Sequence, residues 1–175
     1  MDIIPLKING AFLLCQNRVE DERGFFARQF CIQEMKAVGI DFQIKQCNIS
    51  WNKYKGTLRG LHYQEEPYPE IKLVSCTQGR VYDVLVDLRP ESNTYLQWIS
   101  NELSFGSGIT VYIPPGVAHG FQTLEDNTSV YYQVSEYFRS EHYRGLRWND
   151  PKLGIKWPEC DRRIINKRDA SYELL

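Results

Sequence analysis

Two histidines occupy comparable settings in this chain. Five residues separate Gly56 from His62, which is followed by Gln64, Lys72 and Gly79; five separate Gly108 from Pro114, and Pro114-Pro115-Gly116 is followed by His119. Imidazole titrates near neutral pH, so either ring can take up and release a proton under ordinary conditions. Lys72 adds a fixed positive charge of the kind that stabilises a developing oxyanion. A lone histidine reads more readily as a packed core side chain. Two at motif spacing, with a cation beside them, favour a proton-transfer site over that reading.

To converge, these residues must be carried on strands. Residues 42–137 have the strand signals, and Val81-Tyr82-Asp83-Val84-Leu85-Val86-Asp87-Leu88 puts Tyr82, Val84, Val86 and Leu88 on one face. Asp83 and Asp87 share the other face with Val81 and Leu85, and by themselves read as solvated. Residues 109–113 and 130–134 are rich in β-branched and aromatic side chains, and Gln78-Gly79, Arg89-Pro90, Pro114-Pro115-Gly116 and Asp126-Asn127 mark turns between strands. The one good helical stretch covers residues 32–38, with Gly39 placed to stop it. From Trp148 onward the tail reads as irregular. Many short strands with regular turns predict an all-β sandwich or jelly roll, and 175 residues without a linker predict one domain over 1–175.

Composition narrows the partners. A net charge of -1 argues against a nucleic-acid or anionic-membrane partner, and no stretch approaches the roughly 20 apolar residues of a membrane helix. Residues 1–5 lack the basic start and apolar run of a secretion signal. Cys15, Cys31, Cys47, Cys76 and Cys160 include no Cys-x-x-Cys pair and read as buried, reduced thiols, so the expected location is cytoplasmic.

The two histidine segments resemble the paired motifs of cupin-type β-barrels. A metal-binding cupin would carry His at position 64 and Glu at position 72; here they are Gln64 and Lys72. An ammonium in place of a carboxylate repels a divalent ion, so neither a metal nor another cofactor is expected. The resemblance becomes specific in Arg59-Gly60-Leu61-His62-Tyr63-Gln64, Lys72-Leu73-Val74, residues 83–89 and 113–121, Asp21-Glu22-Arg23-Gly24-Phe25-Phe26, and Trp148-Asn149-Asp150-Pro151. Over nearly its whole length the chain resembles the dTDP-4-dehydrorhamnose 3,5-epimerase family. That likeness implies a cupin-like jelly roll and a homodimer. It also implies a metal-independent epimerase that inverts carbons 3 and 5 of a nucleotide-linked 4-keto-6-deoxy sugar, on the route to deoxysugars of cell-surface glycans.

By the same resemblance His62 is the base, Asp169 its orienting carboxylate, Tyr132 the acid and Lys72 the neighbour of the enolate oxygen. Arg23 and Arg59 fall on diphosphate-binding positions and Phe26 on a base-stacking one. Gln46, Asn48 and His119 line the sugar and nucleoside sites, and Asp83 points inward in support. Without the resemblance, Asp169 reads as solvent-facing, Tyr132 as a barrel aromatic, and His142 as a surface residue. The segment from Arg23 to Arg28 is expected to cross to the partner's site.

Four positions depart from the family pattern: Arg28 for Glu, Tyr143 for Glu, Arg168 for Lys and Phe138 for Tyr. Arg28 can only donate, whereas thymine N3–H needs an acceptor, so the swap raises a CDP- or GDP-linked substrate as an alternative. A single-carbon epimerase, a ketoisomerase, a metal-dependent dioxygenase and a non-catalytic sugar-binding cupin are the other readings. An intact His62, Tyr132 and Asp169 count against the last of these.

Overall fold

Alternation along the strands sends apolar side chains to three separate clusters, and two antiparallel sheets hold those clusters apart. The computed structural model describes residues 1–175. The strands are β1 (Asp2–Pro5), β2 (Phe12–Cys15), β3 (Arg18–Asp21), β4 (Gly24–Ala27), β5 (Gln46–Asn52), β6 (Leu58–Gln64) and β7 (Lys72–Gln78). They continue as β8 (Arg80–Asp87), β9 (Trp98–Ser104), β10 (Ile109–Ile113), β11 (Val117–Thr123), β12 (Thr128–Val134) and β13 (Tyr143–Gly145). Two short helices, α1 (Ile32–Ala37) and α2 (Lys167–Ser171), complete the regular structure. One sheet runs β1-β2-β10-β7-β12-β5, the other β13-β6-β11-β8-β9, and β3 and β4 form a separate hairpin. This is the jelly-roll arrangement that the cupin-like motifs imply.

Between the sheets, one half is dry. Val74, Val81, Leu85, Leu103, Val111, Ile113 and Val130 are almost wholly buried there. The other half is polar, because the inward positions of β5 are Gln46, Asn48 and Ser50 while Cys47, Ile49 and Trp51 face out. Outside the five-stranded sheet, Leu146, Leu153, Ile155 and Trp157 of the C-terminal tail cover Val84, Val86 and Ala118. Outside the six-stranded sheet, Met35 of α1 packs with Leu14, Ile40, Phe42, Leu73 and Tyr112.

Several expectations need correction. Asp83 and Asp87 are fully buried rather than solvated, because the tail covers one face of β8 and the opposite sheet covers the other. Asp87 is satisfied by Arg89, Ser92 and Thr94 at 2.6–2.8 Å. Strand structure begins at β1, well before residue 42, and the tail is not wholly irregular, since it contains α2. Among the cysteines Cys76 is buried, with its thiol pushed up to about 11 by burial, but Cys47 is exposed. His142 is half-buried, with Nδ1 3.6 Å from Glu65. No helix is long and apolar enough to cross a membrane.

One close contact sets the geometry of the polar half. Gly60 has φ +123°, and a Cβ there would lie 2.5 Å from the Gly120 Cα on β11. The β6–β11 register shifts beside this point, between His119 and Phe121, and His62 stands directly opposite His119. Gly60→Ala should therefore cost about 1–3 kcal/mol of stability through strain and forced strand separation. Urea denaturation checks this, and an unchanged midpoint would show that the contact is dispensable.

Candidate active site

A cleft of two contiguous cavities, about 230 Å³ and about 190 Å³, opens in the polar half. Lys72, Tyr132, Tyr143 and Arg168 line both. His62 of β6 and His119 of β11 enter it from the five-stranded sheet, while Lys72 of β7 and Tyr132 of β12 enter from the six-stranded sheet. Strand pairing aligns the second pair of elements: Tyr132 lies opposite Asn48 on β5 and Val74 on β7.

His62 is held from behind. Its Nε2 is 2.8 Å from Asp169 Oδ1, and the other carboxylate oxygen accepts the Gly60 backbone N–H at 3.1 Å. Asp169 reaches this place because the tail runs beside β6: Leu58 N–H donates to Ile164 at 2.8 Å, and Ile164 N–H returns a bond to Gly56 at 2.9 Å. Asn166 then caps α2, its side chain accepting from Asp169 N–H at 2.7 Å. Tyr172 closes over Gly145, where a Cβ would lie 2.2 Å from its ring.

Burial pushes the Asp169 carboxyl up, but the hydrogen bond and charge of His62, the Gly60 N–H and nearby Arg168 outweigh it, and the net shift is downward. The ionised carboxylate accepts from Nε2–H, so Nδ1 is the basic nitrogen of His62. For His62 itself, burial lowers the pKa more than Asp169 raises it, which keeps the imidazole neutral at pH 7. Tyr132 is raised by burial, then by the Glu70 charge, and so stays a protonated phenol. Tyr143 is driven far up by the same two causes, burial first.

The cations and amides divide in the same way. Lys72 Nζ lies 2.9 Å from Glu70 Oε1 and donates to the His62 carbonyl at 3.3 Å. Arg59 is anchored through Nε to Asn52 at 2.7 Å, leaving its other guanidinium nitrogens to the cleft. His119 Nε2 is 2.5 Å from Asp83, which does point inward. Gln46, Asn48 and Phe138 line the smaller cavity, where the Gln46 side chain accepts the Phe138 N–H at 2.7 Å. Gln64 is committed to backbone partners at Tyr68, Tyr137 and Arg139, so this position supplies scaffolding rather than a free ligand.

Arg23, Phe26 and Arg28 do not join this cleft. They lie on or just after the β3–β4 hairpin, where Arg23 pairs with Asp21, Phe26 is 76% exposed, and Arg28 pairs with Glu34 at 2.9 Å. Three polar lining residues escaped the sequence reading: Ser50, Glu70 and Asn166. Only Glu70 carried a usable signal, its spacing of two from Lys72 along an extended segment.

The His62 shift has a pH consequence. The unfolded chain binds this proton below about pH 6.5 while the folded chain resists it, so the stability tied to His62 is complete above that pH and falls on acidification. NMR titration of the imidazole should give a pKa below the free value, lowered further in Asp169→Asn. An unshifted pKa in that variant would contradict the pairing.

Comparison with known proteins identifies the family. The family model for dTDP-4-dehydrorhamnose 3,5-epimerase matches residues 5–175. A dTDP-4-dehydrorhamnose 3,5-epimerase from Sinorhizobium fredii is 40% identical over 170 residues, covering 97% of this chain and 87% of that protein. The Bacillus anthracis enzyme, crystallised with TDP and PPi bound, superimposes with a TM-score of 0.96 at 37% identity and 99% coverage of both chains. A Legionella pneumophila relative in complex with dTDP-4-keto-L-rhamnose gives 0.93 at 35% identity, over 99% of this chain and 92% of that one. With the match spanning both sheets, the cleft and the tail that carries Asp169, this chain belongs to the dTDP-4-dehydrorhamnose 3,5-epimerase family.

Proposed function

We propose that the chain inverts carbons 3 and 5 of a dTDP-linked 4-keto-6-deoxyhexose, a step of deoxysugar biosynthesis. The observation that carries this reading is the placement of His62 and Tyr132 on opposite sheets facing one cleft. Epimerisation needs a base on one face of the sugar and an acid on the other. His62 Nδ1 takes the proton from a carbon flanking the ketone, and the C–H electron pair moves into an enolate. The Lys72 ammonium hydrogen-bonds the enolate oxygen. Tyr132 then donates its proton to the opposite face of the carbon, and the phenolate and imidazolium return to their starting forms through solvent. Both carbons flank the same carbonyl, so one base–acid pair serves both. Arg59 takes diphosphate oxygens. Each step uses side chains alone, without a metal or other cofactor.

The relatives crystallised with TDP and with dTDP-4-keto-L-rhamnose support dTDP as the carrier. Arg28 gives one N–H to Glu34 and keeps the rest of its guanidinium exposed. The exposed hairpin supports a homodimer: Val19, Phe25 and Phe26 are uncovered, and Arg23 and Phe26 line no part of their own chain's cleft. A second copy would supply them. Cys47, free and exposed, suits a reducing compartment such as the cytoplasm.

Incubation with dTDP-4-keto-6-deoxyglucose in D2O should place two deuterons in the product sugar by mass spectrometry. One would mean a single-carbon epimerase, and none from folded protein would overturn the reading. His62→Ala should slow exchange by about 10²–10⁴-fold. Tyr132→Phe should depress inversion more than exchange, since His62 can still return deuterium to the face it came from; equal losses would remove Tyr132 from the acid's role. Sedimentation should give twice the chain's mass, whereas a monomer with full turnover would overturn the shared site.

A further inference from the structure

Lys72 is not free in the cleft. Its ammonium is 2.9 Å from Glu70 Oε1, and both side chains are only 9% exposed. A second N–H is directed to the His62 carbonyl at 3.3 Å. An ammonium has three N–H groups, so one remains for a ligand. Glu70 lines the cavity wall beside Lys72, Tyr132 and Tyr143, with Arg168 the other cation on that wall. A carboxylate so close to a forming enolate looks adverse if only net charge is counted. Its value lies in orientation. Lysine is a point charge on a flexible four-carbon stem, and an oxyanion donor is effective when its direction is fixed before the reaction starts.

We propose that Glu70 is a positioning residue for the epimerisation: paired with Lys72, it aims the remaining ammonium N–H at the ketone oxygen. This rests on the role given to Lys72 above. Glu70 has a second effect on the same group. By offsetting the ammonium charge it makes Lys72 a poorer phosphate site than the unpaired guanidinium nitrogens of Arg59.

The experiment is steady-state kinetics with dTDP-4-keto-6-deoxyglucose, together with deuterium wash-in, on Glu70→Gln, Glu70→Ala, Lys72→Ala and the Glu70→Ala/Lys72→Ala pair. The two Glu70 variants should lose about ten- to hundredfold in kcat, the alanine variant more, since glutamine keeps an acceptor for the ammonium. KM should stay within about threefold and dTDP should bind no more weakly, a split that general loss of structure would not produce. In the Lys72→Ala background, removing Glu70 should cost less than about twofold further, because it acts through Lys72. Losses that multiply in the double variant, or a Glu70→Gln enzyme within twofold of wild type, would overturn the proposal. Glu70→Gln is close to isosteric and carries the test if the alanine variant is unstable. A wild-type protein that fails to exchange at all would overturn the activity itself, a result distinct from active enzyme with indifferent Glu70 variants.

Discussion

Asp169 is the side chain on which the site's geometry depends. Its carboxylate is fully buried, and it is divided between the Gly60 N–H and the His62 ring, two groups on the same strand two residues apart. A buried carboxylate is costly unless it is paired and hydrogen-bonded, and here both partners come from β6. Docking then fixes the imidazole orientation from behind. The same tail spreads Leu153, Ile155 and Trp157 over the outer face of the five-stranded sheet. The tail therefore serves fold and site together, covering the sheet and holding the imidazole of His62.

The two halves of the sandwich follow from strand alternation alone. On β7, Lys72 shares the inward face with Val74 and Cys76, and on β12 Tyr132 shares it with Val130 and Val134. Each strand thus carries its functional side chain on the same inward face as its apolar ones, and Val130 and Val134 border the cleft beside Tyr132. The dry half holds the sheets at a fixed separation, and this allows a base on one sheet and an acid on the other to face a single sugar. Polar groups lining the cleft would be a liability without partners. Glu70 for Lys72, Asn52 for Arg59, Asp83 for His119 and Asp169 for His62 answer that requirement one by one.

The central strands were legible because their periodicity is strong: the division of β8 into a Tyr82-Val84-Val86-Leu88 face and a Val81-Asp83-Leu85-Asp87 face agrees with the clusters observed. What periodicity could not show is that both faces are covered, since the covering comes from a tail more than 60 residues away in sequence. Strands β1 to β4 are four residues each, and β3 and β4 are largely exposed, which leaves little pattern to read. Asp169 sits in α2, among the exposed residues Lys167 and Arg168, and its burial is set by partners more than 100 residues distant. Family motifs located it where local pattern did not. Glu70 lay outside the family motifs, and beyond its spacing of two from Lys72 only the contact with that residue distinguishes it from the other glutamates.

Arg28 shows how a residue-type argument depends on what stands beside the residue. Arginine cannot accept a hydrogen bond, so as a free side chain it would select against a base presenting an N–H donor. Here the guanidinium is 2.9 Å from Glu34, and Glu34 also takes the N-terminal ammonium at 3.2 Å. One N–H of Arg28 goes to Glu34 while the side chain stays 62% exposed, so its remaining donors are open to a ligand without breaking the pair. Glu34 thus puts a carboxylate beside Arg28, on the helix that follows the hairpin, so an acceptor as well as donors stands at this position.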